Sequence, residues 1–196
     1  MISVCIPYYD GMKDGAFFLK RAIDSVMTQT YRDYEIVLTK QGKMAANTNA
    51  GIKRARGKII KILYQDDYLA HPNALKLIVD NFKGGWLATG CEHDDGISRG
   101  GKHYAAWSEH MLSGDNTIGS PSVVAFENKN PLLFDENLSY ALDCELYTRL
   151  FQRYGKPAII QDINVVIGLH SGQVSNLMTI EEKRNEFSYV KQKYNG

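Results

Sequence analysis

The sequence predicts an α/β fold: one domain with a mixed, mostly parallel sheet flanked by helices. Three observations point there. Short apolar runs rich in β-branched residues recur at residues 2–8, 35–39 and 58–64. A segment of helical periodicity follows each run, the alternation that parallel strands and their crossover helices produce. The chain also has 196 residues, enough to bury a core without staples.

Residues 2–8 read as a buried strand closed by Pro7. From 18 to 28, Leu19, Ala22, Ile23, Val26 and Met27 fall on one helical stripe. Residues 35–39 form a second strand. Residues 45–55 form a helix, stopped by Gly57 just past its last turn. Residues 58–64 are the third strand. Pro72 then opens a helix where a missing N–H is tolerated, and Leu75, Ile78, Val79 and Phe82 give it a core face. A fourth strand begins at 86–89. Residues 93–119 lose periodicity and are rich in Gly, Ser, Asp and His, which predicts a functional or disordered loop. Strand character returns at 122–126. Residues 143–154 are helical, with Leu142, Leu146 and Leu150 on one stripe. Two short strands follow at 158–161 and 165–169. Residues 181–194 read as a weakly amphipathic helix, expected to be a surface arm.

The formal net charge of +1 provides no bulk field toward nucleic acid or an acidic membrane. The three cysteines, Cys5, Cys91 and Cys144, are too few and too odd in number for a disulfide framework, and suit a reducing compartment. The start runs straight into a strand rather than a secretory signal, and no apolar run is long enough to span a bilayer. A cytoplasmic location without a transmembrane segment is the expectation.

Ligands of open α/β sheets bind beyond the carboxyl ends of the strands. Pro7, Tyr8, Tyr9 and Asp10 follow the first strand, Lys40 and Gln41 the second, and Gln65, Asp66 and Asp67 the third. Adjacent carboxylates at a strand end suit a divalent cation, but a solvated turn with a helix cap has the same pattern. Asp143 opens a helix in apolar surroundings, either as a catalytic carboxylate or as a cap. His170 follows an apolar run and could complete a metal site. The polar run Cys91, Glu92, His93, Asp94 and Asp95 lacks a second Cys or His pair at zinc spacing. Nucleophile-elbow, P-loop and dinucleotide-glycine patterns are absent.

Taken together, the motifs resemble the family 2 glycosyltransferases, whose fold is the Rossmann-like GT-A fold. Residues 3–9 (SVCIPYY) match the opening strand. Residues 22–31 (AIDSVMTQTY) and 34–37 (YEIV) match the next helix and strand. Residues 49–52 (NAGI) and 55–57 (ARG) precede the third strand, and 63–69 (LYQDDYL) match the metal-binding segment. Residues 134–138 (FDENL), with Asp143, Leu146 and Arg149, match the segment holding the base, and His170 with Ser175 matches a late His motif. The resemblance spans residues 2–176. Two positions depart from it: Thr39 and Tyr64 stand where the family usually has aspartates.

The resemblance implies a GT-A domain over 1–176, with a nucleotide-sugar half (1–90) and an acceptor half (91–176), and a C-terminal helix over 177–196. It implies a metal-dependent, inverting transfer from a nucleotide-diphosphate sugar to an acceptor hydroxyl. Asp66 and His170 would hold Mn²⁺ or Mg²⁺, the imidazole favouring Mn²⁺. Asp143 would be the general base, its pKa lowered by the helix N-terminus. Pro7, Tyr8, Tyr9, Asp10, Gln41, Asn49, Gln65 and Asp67 would contact the donor. Residues 93–119, with Tyr104 and Trp107, would wall the acceptor. The acceptor classes are a surface polysaccharide or lipopolysaccharide glycan, a lipid-linked glycan, or a modified DNA base. Without the two aspartates, nucleotide selectivity is expected to be loose, a uridine donor being the first expectation. The alternatives are a catalytically weak nucleotide-sugar or glycan-binding module, and a nucleotidyltransferase.

Overall fold

The alternation of strand and helix along the first third of the chain is realised directly in the computed structural model, which describes residues 1–195. In chain order come β1 (Ile2–Pro7), α1 (Gly15–Met27), β2 (Tyr34–Thr39), α2 (Met44–Arg54), β3 (Ile59–Ile62), β4 (Tyr68–Leu69), α3 (Ala74–Asn81) and β5 (Trp86–Asp94). There follow β6 (Arg99–His103), β7 (Val124–Glu127), α4 (Leu142–Tyr154), β8 (Ala158–Gly168), α5 (Val174–Leu177) and α6 (Ile180–Asn195).

All eight strands join one sheet, ordered β2-β1-β3-β7-β5-β8-β4, with β6 paired to β5. β1 lies between two strands, and every residue of it is buried, which is why it reads as a continuous apolar run rather than an alternating one. β1 is parallel to β2 and β3, and β5 is parallel to β8. β7 is antiparallel to both of its neighbours, β3 and β5. Thus β1, β2, β3, β5 and β8 run one way, and their carboxyl ends share one edge of the sheet. The core is continuous across the sheet, from Val4 and Ile60 to Leu87 and Val165.

Three expectations change. Residues 93–119 are neither disordered nor open. β6 forms a hairpin with β5, and Ala105, Met111 and Ile118 are buried. Trp107 stacks on Phe151 at 4.4 Å and meets Trp86 edge-on, so its ring belongs to the core rather than to an acceptor wall, while Tyr104 stays half-exposed. The two short strands after α4 are one strand, β8, whose register on β5 shifts between Ile160 and Ile163. Gly90 accommodates that irregularity, because a Cβ there would lie 3.0 Å from the Asp162 carbonyl oxygen.

α6 is no surface arm. Val190 is fully buried, and the Glu186 carboxylate accepts the N–H groups of Ser139, Tyr140 and Ala141 at 2.7–2.9 Å. Those residues lead into α4, whose N-terminal cap position is Ala141 and so brings no side-chain cap of its own. Farther along, Lys193 and Tyr194 of α6 bond the fully buried Glu145 of α4.

Candidate active site

The shared carboxyl edge assembles the site. Beyond β1 and β2, the Tyr8 N–H donates to the Thr39 carbonyl (2.9 Å). Asn47, which no sequence motif singled out, ties the two exits together. Its Nδ2 donates to the Tyr8 carbonyl (3.0 Å), and its Oδ1 accepts from the Gln41 N–H (2.9 Å). Thr39 donates its hydroxyl to the Asn47 carbonyl (2.9 Å). Tyr9, Asp10 and Gln41 remain exposed on this edge, with Asp10 ion-paired to Lys40. Pro7 is buried at the end of its strand.

Two of the residues expected to contact a donor are spent on the scaffold. Gln65 is buried; its Oε1 accepts the Tyr9 N–H, and its Nε2 donates to the Tyr9 carbonyl at 3.3 Å. Asn49 is buried with its amide committed to the Phe134 carbonyl (2.9 Å), the Phe134 N–H (2.7 Å) and Glu136 (2.9 Å). It clamps α2 to the segment before α4.

In the turn between β3 and β4, Asp66 and Asp67 point in opposite senses. Asp67 turns inward, 2% exposed, and accepts the Gly168 N–H at 3.0 Å. Burial and the Asp66 charge push its pKa well up. It therefore braces β8 and presents no carboxylate to a ligand. The nearby Lys61 is also fully buried, and desolvation lowers its pKa to about 7. Asp66 turns outward, and its Oδ2 lies 3.0 Å from His170 Nε2, across 104 residues of sequence. The close approach depends on Gly168: a Cβ there would sit 2.3 Å from the Asp66 carbonyl oxygen. The His170 ring stacks on Phe18 at 5.2 Å. Beside it opens a cleft of about 380 Å³ lined by Tyr9, Met12, Lys13, Phe18, His170 and Leu177.

The 3.0 Å contact is a hydrogen bond between Asp66 and His170, whose Nδ1 accepts the Gly172 N–H (3.2 Å), and the same spacing suits a metal ion that would replace the shared proton. Adjacent ligands about 2.1 Å from a six-coordinate cation stand about 3.0 Å apart. Among the described residues, no group of three or more His, Cys, Asp or Glu side chains is placed to hold an ion. A cation held by only two protein donors would need substrate phosphate oxygens and waters to complete its shell.

Asp143 is the second residue of α4 and partly exposed. One carboxylate oxygen accepts the Cys144 N–H (2.7 Å), and the other accepts Asn116 Nδ2 (2.7 Å). Asn116 lies in the stretch read as loop, and nothing in its sequence context marked it. The helix N-terminus was expected to lower the Asp143 pKa; instead desolvation outweighs these hydrogen bonds and raises it to about 6. The Tyr64 hydroxyl is buried without a partner among the described residues. Burial, followed by the charge of Asp143, raises the Tyr64 pKa, with Asp67 and Asp66 adding to the effect.

Cys91 to Asp95 form no metal cluster; Glu92 pairs with Arg99, and Cys91 is buried. All three cysteines are free and buried. No helix among the described residues is long and apolar enough to cross a membrane.

No family model matches the chain. The uncharacterized glycosyltransferase RP339 of Rickettsia prowazekii is 29% identical over 174 residues, covering 87% of this chain and 47% of its own length. The chain thus spans less than half the length of this curated relative. Among solved structures, S. aureus TarS 1-349 in complex with UDP-GlcNAc superposes with a TM-score of 0.72 at 14% identity, covering 95% of this chain and 64% of that one. The mannosyltransferase PcManGT from Pyrobaculum calidifontis, in complex with GDP-Man and Mn²⁺, gives 0.60 at 15% identity, covering 89% and 58%. The chain therefore has the α/β fold of these glycosyltransferase structures, with Asp66, His170 and Asp143 on the same half of its architecture as the strand exits.

Proposed function

We propose that the chain is a metal-dependent, inverting glycosyltransferase of the GT-A type, moving a sugar from a nucleotide-diphosphate donor to an acceptor hydroxyl. The observation that carries this is the Asp66–His170 pair, 3.0 Å apart at the carboxyl edge of the sheet. The likeness to glycosyltransferase structures that hold nucleotide sugars supports the choice of substrate. Asp66 and His170 would hold Mn²⁺ or Mg²⁺, which when bound neutralises charge on the leaving diphosphate. Tyr8, Tyr9, Asp10 and Gln41 flank the nucleoside, positioned by Asn47. Asp143 takes the proton from the acceptor hydroxyl as it attacks the anomeric carbon, on the face opposite the diphosphate. A pKa of about 6 leaves Asp143 ionised at neutral pH and still basic enough to accept that proton. The acceptor is a hydroxyl of a surface polysaccharide, lipopolysaccharide or lipid-linked glycan, or of a modified DNA base.

The test is donor turnover with UDP-GlcNAc and GDP-Man, followed by release of nucleoside diphosphate. EDTA is expected to abolish it, Mn²⁺ to restore it at least as well as Mg²⁺, and Asp66→Ala to lose both metal and donor. Full turnover in EDTA removes the metal assignment. Release of pyrophosphate instead makes the chain a nucleotidyltransferase, and tight donor binding without turnover makes it a binding module.

A further inference from the structure

The two metal-ligand candidates lie beside one ion pair that bonds the backbone of Asp66 and joins the strand leading to His170. Arg21 of α1 donates through Nη2 to the Asp66 carbonyl (2.7 Å) and through Nη1 to Asp94 Oδ2 (3.0 Å). The same Asp94 oxygen accepts the Tyr68 hydroxyl (2.8 Å), and Asp94 Oδ1 accepts the Gly96 N–H (2.9 Å). The Asp94 carbonyl accepts the N–H of Leu169, the residue before His170, at 2.8 Å. The guanidinium is packed over Tyr68, 4.3 Å from its ring centroid, and lies 5.3 Å from that of Phe18, the ring on which His170 stacks. Arg21 and Asp94 side chains are only 21% and 13% exposed. The guanidinium thus bonds the Asp66 backbone, and the main chain of its partner Asp94 bonds the residue next to His170.

We propose that Arg21, with Asp94, is a positioning pair that sets the 3.0 Å separation of Asp66 and His170. The inference rests on the metal assignment above. A planar guanidinium bridges two acceptors at once, whereas an ammonium is a single point charge on a flexible stem and cannot span both. Electrostatics alone predicts the opposite of positioning. Arg21 is a cation close to a site for a cation, so deleting its charge should tighten metal binding if charge were its only influence. Loss of positioning weakens binding instead.

The experiment is direct titration of Mn²⁺ into the donor-free protein, reading the free-Mn²⁺ electron paramagnetic resonance signal, with circular dichroism and melting temperature on every variant. Arg21→Met is expected to raise the Mn²⁺ Kd at least tenfold. Arg21→Lys, which keeps the charge and is the gentler change for folding, is expected to raise it at least threefold. Unchanged or tighter binding in a folded variant overturns the positioning role while leaving the metal assignment standing. A wild-type protein that takes up no more Mn²⁺ than Asp66→Ala overturns the metal assignment and this inference together.

Discussion

Asp143→Asn tests the base and its environment in one variant. Burial raises the Asp143 pKa from 3.8 to about 6. Between those values the native state keeps a proton that the unfolded chain has released, so stability falls as pH rises through the window. The cost is complete above about pH 6, and a shift of about two units is worth about 3 kcal/mol. Asparagine removes that charge. It also sets an amide N–H against the Asn116 Nδ2 donor that now bonds Oδ2, a loss of about 1 kcal/mol. The variant should therefore be about 2 kcal/mol more stable than wild type at pH 8. At pH 5 the wild-type carboxyl has recovered its proton in the native state, and the gain shrinks to about 0.5 kcal/mol. Urea denaturation at the two pH values measures the difference. Turnover should fall by about 10²- to 10⁴-fold, the weight of general-base catalysis, with donor affinity unchanged. A variant less stable than wild type at pH 8, or a gap that does not close toward pH 5, refutes the elevated pKa. Near-normal turnover refutes the role.

In wild type the same group predicts that kcat/KM declines about tenfold per unit below pH 6, and a flat profile down to pH 5 would point to another base. Gly168→Ala would set a Cβ 2.3 Å from the Asp66 carbonyl oxygen. It should lower stability by about 1–3 kcal/mol and weaken Mn²⁺ binding, read by thermal melts and metal titration. Asn47→Ala frees the Tyr8 carbonyl and the Gln41 N–H. Calorimetry should show weaker UDP and GDP binding with Mn²⁺ binding intact. Because Thr39 is buried and bonded to Asn47, no carboxylate faces a base from that strand end. Dissociation constants for UDP, GDP and CDP within about tenfold of one another are the expected result, and a hundredfold preference would contradict it.

β1 and β3 were legible because strands buried on both faces carry near-unbroken apolar runs, whereas β2, a half-buried edge strand, showed through its β-branched residues and its position between two helices. The strand exits followed from that, since parallel strands deliver their carboxyl ends to one edge. The meeting of Asp66 with His170 was not legible from spacing, because it depends on the two-residue β4 pairing antiparallel with β8, Tyr68 opposite Val166. Asp66 and Asp67 look equivalent in sequence, yet the turn between β3 and β4, closed by the Asp67 N–H on the Tyr64 carbonyl, sends one carboxylate inward and the other toward His170. Asn49 fitted a motif while Asn47, two residues earlier on the same helix, does the bridging. A pattern of residue types does not say which face of α2 meets the loops. The Asp143 pKa was misjudged because the helix N-terminus is visible in sequence and the desolvating neighbours are not. The stretch 93–119 hid its order because its contacts, such as Trp107 on Phe151, are tertiary rather than periodic.

The Glu186 clasp on the start of α4 bears on where this unit can be cut. The resemblance ends near residue 176, and an expression boundary drawn from it would discard α6. The backbone N–H groups of Ser139, Tyr140 and Ala141 would then lose their acceptor, immediately upstream of Asp143. Glu145, wholly buried, would keep Arg149 and lose Lys193 and Tyr194. A truncated fragment would carry every matching motif and yet hold Asp143, the proposed base, on a frayed helix. Inactivity in such a fragment would speak about its borders, and comparisons of activity among relatives of different length should begin from matched C-terminal ends.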